Sequence, residues 1–541
     1  MPSSQSVGGR AHGIAPRVRA ATFAALALAA LATATATQAD GATLPTDCAG
    51  AIAVGPPEST GCPAADGDRR IVGRPGLRFD GAVLPRTTRA AHPNVVVFLA
   101  DDLNERLYEL VDGLQAIADR GMRFRATTPS PLCGPSRASL LTGLHNHNHG
   151  IVINGGQNRR IWAERHAGNS LPNWFKAAGY RTVLSGKVLN GCSTCFFGGW
   201  DVVIRQDREN RTRRRFYWVD EMAAQVAAEI RVTPIEQPLF VLFAPPSPHA
   251  PFLPRPRYAH AFDGSPLIRG SVLDVPSFNE ADVSDKRHAL ILASPLLDEQ
   301  RIARVVANRE RRAAMMLSLT DAFEVLLGSL RRAGRLEDTY VFFLSDNGFL
   351  EGEHRRPSGK GLPYEEAVTV PMFVLGPDVP AASTSNALVY NHDVTATIVQ
   401  VAHLVAPELD GRSLAPLWHG DTGPWRQRVL LEHYDRRRGR VFSAVRERRW
   451  KAVSLADGSG ETYDLETDPF ELSSVDETSG FRAASSDLLQ QLLGCKGEAC
   501  WRAETAPALG DPPSATDRRL PRSAGHGAAS LPSTPAGIGD P

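Results

Sequence analysis

Hydrophobic positions along this chain fall into runs of three kinds. The first is residues 20–36, an apolar stretch of Ala, Leu, Thr and Phe that follows Arg10, Arg17 and Arg19 and precedes Thr37-Gln38-Ala39. A basic lead, an apolar run and a small-x-small end predict a secretory signal peptide over residues 1–39. An uncleaved anchor is the alternative, but the run is short and Ala-rich for a membrane span, so no stable membrane insertion is expected. No other stretch approaches its length and apolarity. The second kind is the short continuous apolar run of a buried strand, at residues 94–100, 122–125, 180–185, 239–244, 340–345 and 370–375. The third has helical spacing: residues 107–118 predict one helix, and residues 316–330 another with Leu319, Phe323, Leu326, Leu327 and Leu330 on one face. Strands alternating with helices predict an α/β domain over residues 92–404, a central mostly parallel sheet covered by helices on both faces. Functional groups in such sheets gather at the carboxyl ends of strands. Beyond residue 404 the elements shorten. Residues 456–464 predict a hairpin and 485–493 a helix, which gives a smaller C-terminal α+β subdomain over residues 405–505. Residues 40–91 form a Pro/Gly/Arg-rich N-terminal extension, and residues 506–541, without apolar period, predict a disordered tail.

Charge narrows the partners. Lys and Arg number 60 against 59 Asp and Glu, so bulk attraction to nucleic acid is excluded and none is expected as a partner. The local run Arg211-Thr212-Arg213-Arg214-Arg215 is either a solvated face or a contact for an anionic substrate. Asn210-Arg211-Thr212 fits a glycosylation sequon. Six of the seven cysteines form close pairs, Cys48 with Cys62, Cys192 with Cys195 and Cys495 with Cys500. Local disulfides in an oxidising compartment are the natural reading, although connectivity stays open. A metal site at Cys192 and Cys195 lacks a second ligand pair at zinc spacing. Cys133 is left over.

The chemistry gathers at strand ends. Asp101-Asp102 follows the first strand and Asp346-Asn347-Gly348 the run at 340–345, and carboxylate and amide oxygens at such places suit a hard divalent cation. Each pair alone is equally a turn or helix cap. Cys133-Gly134-Pro135-Ser136-Arg137, followed by Leu141-Thr142-Gly143, places Cys133 at a helix N-terminus, as a thiolate nucleophile or a buried small residue. His145, His147 and His149 alternate as on an extended segment, with one side shared but no closed metal site enforced.

The stretch from Cys133 to Gly143 resembles the signature of the type I sulfatases, in which the cysteine is oxidised by a formylglycine-generating enzyme to formylglycine (3-oxoalanine). Other motifs of that family occur in order from about Pro93 to Trp501. The resemblance implies an alkaline-phosphatase-like fold. It implies that Asp101, Asp102, Asp346 and Asn347, with modified residue 133, hold one Ca²⁺, Mg²⁺ being possible. It makes Arg137 the brace of the aldehyde hydrate, Lys187 and Lys360 the sulfate-binding lysines, and His249 in Ser247-Pro248-His249-Ala250-Pro251-Phe252 the proton donor to the bridging oxygen. Asp346 would take the proton from the attacking hydroxyl. Tyr463-Asp464-Leu465-Glu466-Thr467-Asp468-Pro469 is similar to a turn of the family's C-terminal subdomain. Many arylsulfatases carry a histidine two residues after the first lysine; here Leu189 stands there, with Asn190 as a substitute. That form resembles most the N-acetylglucosamine-6-sulfatases and extracellular heparan endosulfatases. The implied protein is a secreted or periplasmic, calcium-dependent sulfatase acting on a sulfated carbohydrate, an amino sugar above all, or on an aryl sulfate. Two alternatives stay open: a formylglycine-dependent phosphonate monoester or phosphodiester hydrolase, and a catalytically silent glycan-binding homologue.

Overall fold

The computed structural model describes residues 92–191, 198–204, 218–421, 423–475 and 479–510. The predicted signal peptide, the N-terminal extension, Cys48, Cys62, Cys192, Cys195, the sequon and the basic run at 211–215 lie outside them.

The apolar runs pair into one eight-stranded sheet. Its strands are β1 (Asn94–Ala100), β2 (Met122–Thr127), β3 (Arg181–Gly186), β4 (Val202–Ile204), β5 (Leu239–Ala244), β6 (Thr339–Ser345), β7 (Thr369–Leu375) and β8 (Ser383–Tyr390). Their order is β4-β3-β5-β1-β6-β7-β2-β8, with β7 alone antiparallel to its neighbours. β1 runs down the centre with no exposed face, because both of its sides meet helices. Val95, Val97 and Leu99 enter one core with Leu140, Trp174 and Ile398. Val96, Phe98 and Ala100 enter the other, with Leu319, Phe323, Leu326, Leu327 and Leu330. Those five leucine and phenylalanine positions belong to a helix twice as long as predicted, Glu299–Arg332. Contrary to the expectation that only residues 20–36 approach a span, this helix is also long and apolar enough by composition, yet 67% of its apolar window is buried inside the protein.

Three local expectations are corrected. Residues 107–118 are not one helix: Glu105–Tyr108 and Asp112–Ala118 are separated by extended Val111, a turn that buries Val111 beside Leu107 and Leu114. Residues 456–464 hold only the turn and second strand of a hairpin, since β11 (Trp450–Leu455) and β12 (Gly460–Asp464) join through Asp457, which accepts from Ser459 N at 2.9 Å. These two strands and β9 (Arg428–Asp435) and β10 (Gly439–Glu447) form a separate antiparallel sheet, covered by the helix Ser479–Leu493. At the start of the predicted tail, residues 506–510 are held: Leu509 N donates to Glu447 Oε1 at 3.1 Å. Residues 511–541 lie outside the description.

Candidate active site

Register builds the site. β1 and β6 are parallel neighbours with Ala100 opposite Ser345, so the residues that follow them, Asp101-Asp102 and Asp346-Asn347, emerge side by side. Asp102 adopts a left-handed backbone (φ 65°), a conformation uncommon outside glycine that Asp tolerates better than most. It is held there because its N–H donates to Asp346 Oδ1 at 3.1 Å while Arg312 donates to its carbonyl.

Cys133 opens the helix Cys133–Thr142, which ends at left-handed Gly143. One turn on, Arg137 lies on the same helical face. Its Nε donates to Asp346 Oδ2 at 2.6 Å, and Nη2 stands 3.4 Å from Asp101 Oδ2. Gly134 N–H is taken by Asn154 Oδ1 at 2.7 Å, and Ser136 bonds the Asp346 carbonyl. The thiol lies 3.6 Å from Asp101 Oδ1 and 3.9 Å from Asp102 Oδ1. Burial, and then Asp346 and Asp101, push it up to about 12. That shift favours the thiol and weighs against the thiolate-nucleophile reading for the unmodified side chain.

Two lysines complete the floor. Lys187 follows β3, where Gly186 (φ 101°) lets the chain pass a neighbouring strand: a methyl group there would stand 2.1 Å from Ala244 O. Its Nζ donates to Asp101 Oδ2 at 2.6 Å. Lys360 reaches in from the loop between β6 and β7, with Nζ 2.6 Å from Cys133 Sγ, 3.5 Å from Asn347 Oδ1 and bonded to Asp102 Oδ1. Burial alone lowers both ammonium groups' basicity, but the carboxylates overrule it, Asp101 first for Lys187 and Asp102 first for Lys360, so both are held above their ordinary range. Burial would raise the Asp101 carboxyl, yet Lys187, Arg137 and Lys360 hold it far below the usual carboxylate range. His249 stands at the rim, its Nδ1 2.6 Å from Ala250 O and its Nε2 3.5 Å from Asp102 Oδ2.

Every residue named from sequence for the nucleophile, the cation and the sulfate is therefore drawn to one place. Ligand atoms of Asp101, Asp102, Cys133 and His249 lie within 4.8 Å of one another. Three carboxylates and an amide oxygen form a hard donor set, and the ammonium of Lys360 among them shows that these oxygens attract positive charge. The residues fit a divalent cation of the Ca²⁺ or Mg²⁺ kind.

The histidine tract is elsewhere, and it is not extended: Asn146–His149 is a helical turn. His147 bonds Glu432 Oε2 at 2.9 Å and Cys495 O at 3.0 Å, His145 faces Glu504 at 3.4 Å, and His149 bonds Ser139 at 3.0 Å. His145 also nears Cys495 and Cys500, but those two form a disulfide and offer no thiolate. Among the described residues the free cysteine is Cys133. Leu189 is packed in the core, whereas Asn190 Oδ1 is buried without a partner among the described residues.

Several supporting residues escaped the sequence. Arg309 and Arg312 bind buried Glu351 from the long helix, and Arg312 lies 4.5 Å over the Phe349 ring. Two arginines three apart on an otherwise apolar helical face were the available signal.

Fold and site together define an alkaline-phosphatase-like α/β architecture with an acid- and lysine-lined pocket at the strand ends. The chain belongs to the sulfatase family, whose model matches residues 93–404; a second, N-sulphoglucosamine sulphohydrolase, C-terminal, matches residues 352–498. N-acetylglucosamine-6-sulfatase of Homo sapiens is 31% identical over 378 residues, 63% of this chain and 67% of that protein. A putative extracellular sulfatase Sulf-1 homolog of Caenorhabditis elegans is 28% identical over 376 residues, 63% of this chain and 52% of that protein. The chain thus spans between about half and two thirds of these relatives. A structure solved in complex with its substrate D-glucosamine-2-N,6-O-disulfate superposes with a TM-score of 0.60 at 19% identity, covering 76% of this chain and 99% of that one. The phosphonate monoester hydrolase of Agrobacterium radiobacter gives 0.60 at 19%, covering 74% and 95%. At those identities the two structures share the fold.

Proposed function

We propose that this chain is an exported sulfatase that hydrolyses a sulfate ester on an amino sugar, with residue 133 acting after oxidation to formylglycine. The observation that carries the reading is a thiol at a helix N-terminus ringed by Asp101, Asp102, Lys360 and, through Asp101, Lys187. Formylglycine, when hydrated, supplies two hydroxyls, so that one can attack sulfur and the other can expel the sulfate afterwards. A Ca²⁺ held by Asp101, Asp102, Asp346 and Asn347 would lend charge stabilisation to the sulfate oxygens.

The chain's own residues supply the rest. Lys187 and Lys360, both charged at neutral pH, bind the equatorial sulfate oxygens, where negative charge grows. Arg137, fixed between Asp101 and Asp346, orients residue 133 and keeps the Asp346 carboxylate turned towards it. Asp346 accepts the proton of the attacking hydroxyl. His249 Nε2, on the open side, hands a proton to the departing sugar oxygen. Asn190, with its unpartnered oxygen, substitutes for the histidine whose place Leu189 fills. The domain limits at 92–404 and 405–505, the signal peptide and the secreted or periplasmic location belong to the same proposal, supported by extracellular sulfatases among the relatives.

The test is sulfate release from 6-sulfated N-acetylglucosamine, with the residue-133 peptide weighed by mass spectrometry first. Oxidised protein should turn over many times, and Cys133→Ser should not; a serine variant that keeps cycling would end the scheme. The phosphonate monoester hydrolase fold match favours one second reading. Turnover of an aryl phosphonate faster than any sulfate ester would select it.

A further inference from the structure

The C-terminal sheet brings a strongly basic hairpin to the edge of this site. β9 and β10 pair with Gly439 opposite Asp435, Arg440 opposite Tyr434 and Phe442 opposite His433. The tip, Asp435-Arg436-Arg437-Arg438-Gly439-Arg440, is exposed throughout. It concentrates three net positive charges in six residues of a chain whose total is +1. Its one carboxylate is engaged in the turn, where Asp435 Oδ1 accepts from the N–H groups of Arg437 at 2.8 Å and Arg438 at 3.1 Å. Among the described residues, no carboxylate side chain forms an ion pair with any of the four guanidinium groups.

Its place is set by His433. A methyl group on Gly361 would lie 3.3 Å from His433 Nε2. Gly361 directly follows Lys360, whose ammonium touches Cys133. From the other direction, Arg356 precedes the same lysine loop and bonds Ser294 Oγ at 3.3 Å, not an acid. Arg356 and Arg438 both act on the buried His288 ring, which burial, and then these two cations against the pull of Glu461, holds below its ordinary range. Hairpin and lysine loop therefore share one neighbourhood. Arg436, Arg437 and Arg438 follow β9 in the turn and Arg440 lies at the start of β10, so the four guanidinium groups spread positive charge over several residues rather than gathering it at one point.

We propose that this hairpin is a binding strip for the anionic groups of a glycan that continues beyond the ester being cleaved, which makes the substrate a multiply sulfated oligosaccharide or polysaccharide. The inference rests on the sulfatase reading and narrows it. Guanidinium groups bind sulfate and carboxylate oxygens in pairs, so four of them free of acids form a track for spaced anions.

The experiment uses the full chain and a variant carrying Arg436→Gln, Arg437→Gln, Arg438→Gln and Arg440→Gln. A fluorescent heparin-derived hexasaccharide reads affinity by anisotropy with no turnover required, and a monosulfated sugar reads kcat/KM. The variant should bind the hexasaccharide at least tenfold more weakly at low salt, with a flatter salt dependence, and should keep kcat/KM on the monosaccharide within about twofold. Unchanged hexasaccharide affinity overturns the proposal. So does an equal loss on the monosaccharide, which would mean a distorted site, and so does equally tight binding of single-stranded DNA of matched charge by the parent protein. Failure of the parent to release sulfate from any ester would sink the sulfatase reading instead, while the anisotropy result still decides the hairpin.

Discussion

Lys360 carries two relations that a single ammonium seldom combines: contact with a thiol and a bond to a carboxylate in a buried place. Its charge there is secured by Asp102, against burial. Under the proposed chemistry that charge acts on the sulfate as it gains electrons, so Lys360→Ala should lower kcat by about 10²–10³, with KM changing far less, in a steady-state sulfate-release assay. A comparable fall in KM-limited binding alone would assign the lysine to substrate capture. At this scale much was legible, because Asp101, Asp102, Cys133, Arg137, Lys187, His249 and Lys360 sit in short motifs whose chemistry is local. Asn154 and Arg312 were not, since what they hold, the Gly134 N–H and the Asp102 carbonyl, lies 20 and 210 positions away in sequence.

Elements place these side chains by register, and one glycine keeps a register tight. β3 runs beside β5 up to Gly186 opposite Ala244, and Lys187 N then donates to Ala244 O at 2.9 Å. Gly186→Ala combines a positive φ with a collision against backbone and should cost about 2–4 kcal/mol, measured by denaturant unfolding, while misplacing Lys187 enough to depress activity. The strands themselves were readable because continuous apolar runs need two covered faces. The break at Val111 was not: periodicity allowed one helix, and only the tertiary demand to bury Val111 beside Leu114 divides it. The tract of three histidines misled for a related reason, since alternation reads as extended chain until Gly150, at φ 77°, closes a helical turn.

Over the whole molecule, the C-terminal sheet clasps the loop that presents Lys360. Glu365 meets Arg446 Nη2 and Lys451 Nζ, each at 3.0 Å, and Tyr364 bonds Glu461 at 3.1 Å. Beside it, buried His354 bonds Glu280 at 2.7 Å and faces Glu366, with Lys286 also on Glu280 at 3.2 Å. Burial opposes its protonation, but Glu280 and Glu366 raise it to about 9. A raised imidazole stabilises the fold fully below its unfolded value near 6.5 and loses that contribution as pH climbs through 9, on the order of 3 kcal/mol. The unfolding midpoint in urea should therefore fall between pH 6.5 and 9, and His354→Gln should flatten that decline; an identical slope in the variant would place the titration elsewhere. Long-range pairings of this sort leave no trace in local sequence, which is why the smaller C-terminal subdomain was foreseen but its hold on the lysine loop was not. Its clasp also bears on how the protein is made: a polypeptide halted before residue 446 already owns its thiol and acid pairs but lacks the two cations that hold Glu365 beside the lysine loop, so that brace arrives only with about the last fifth of translation.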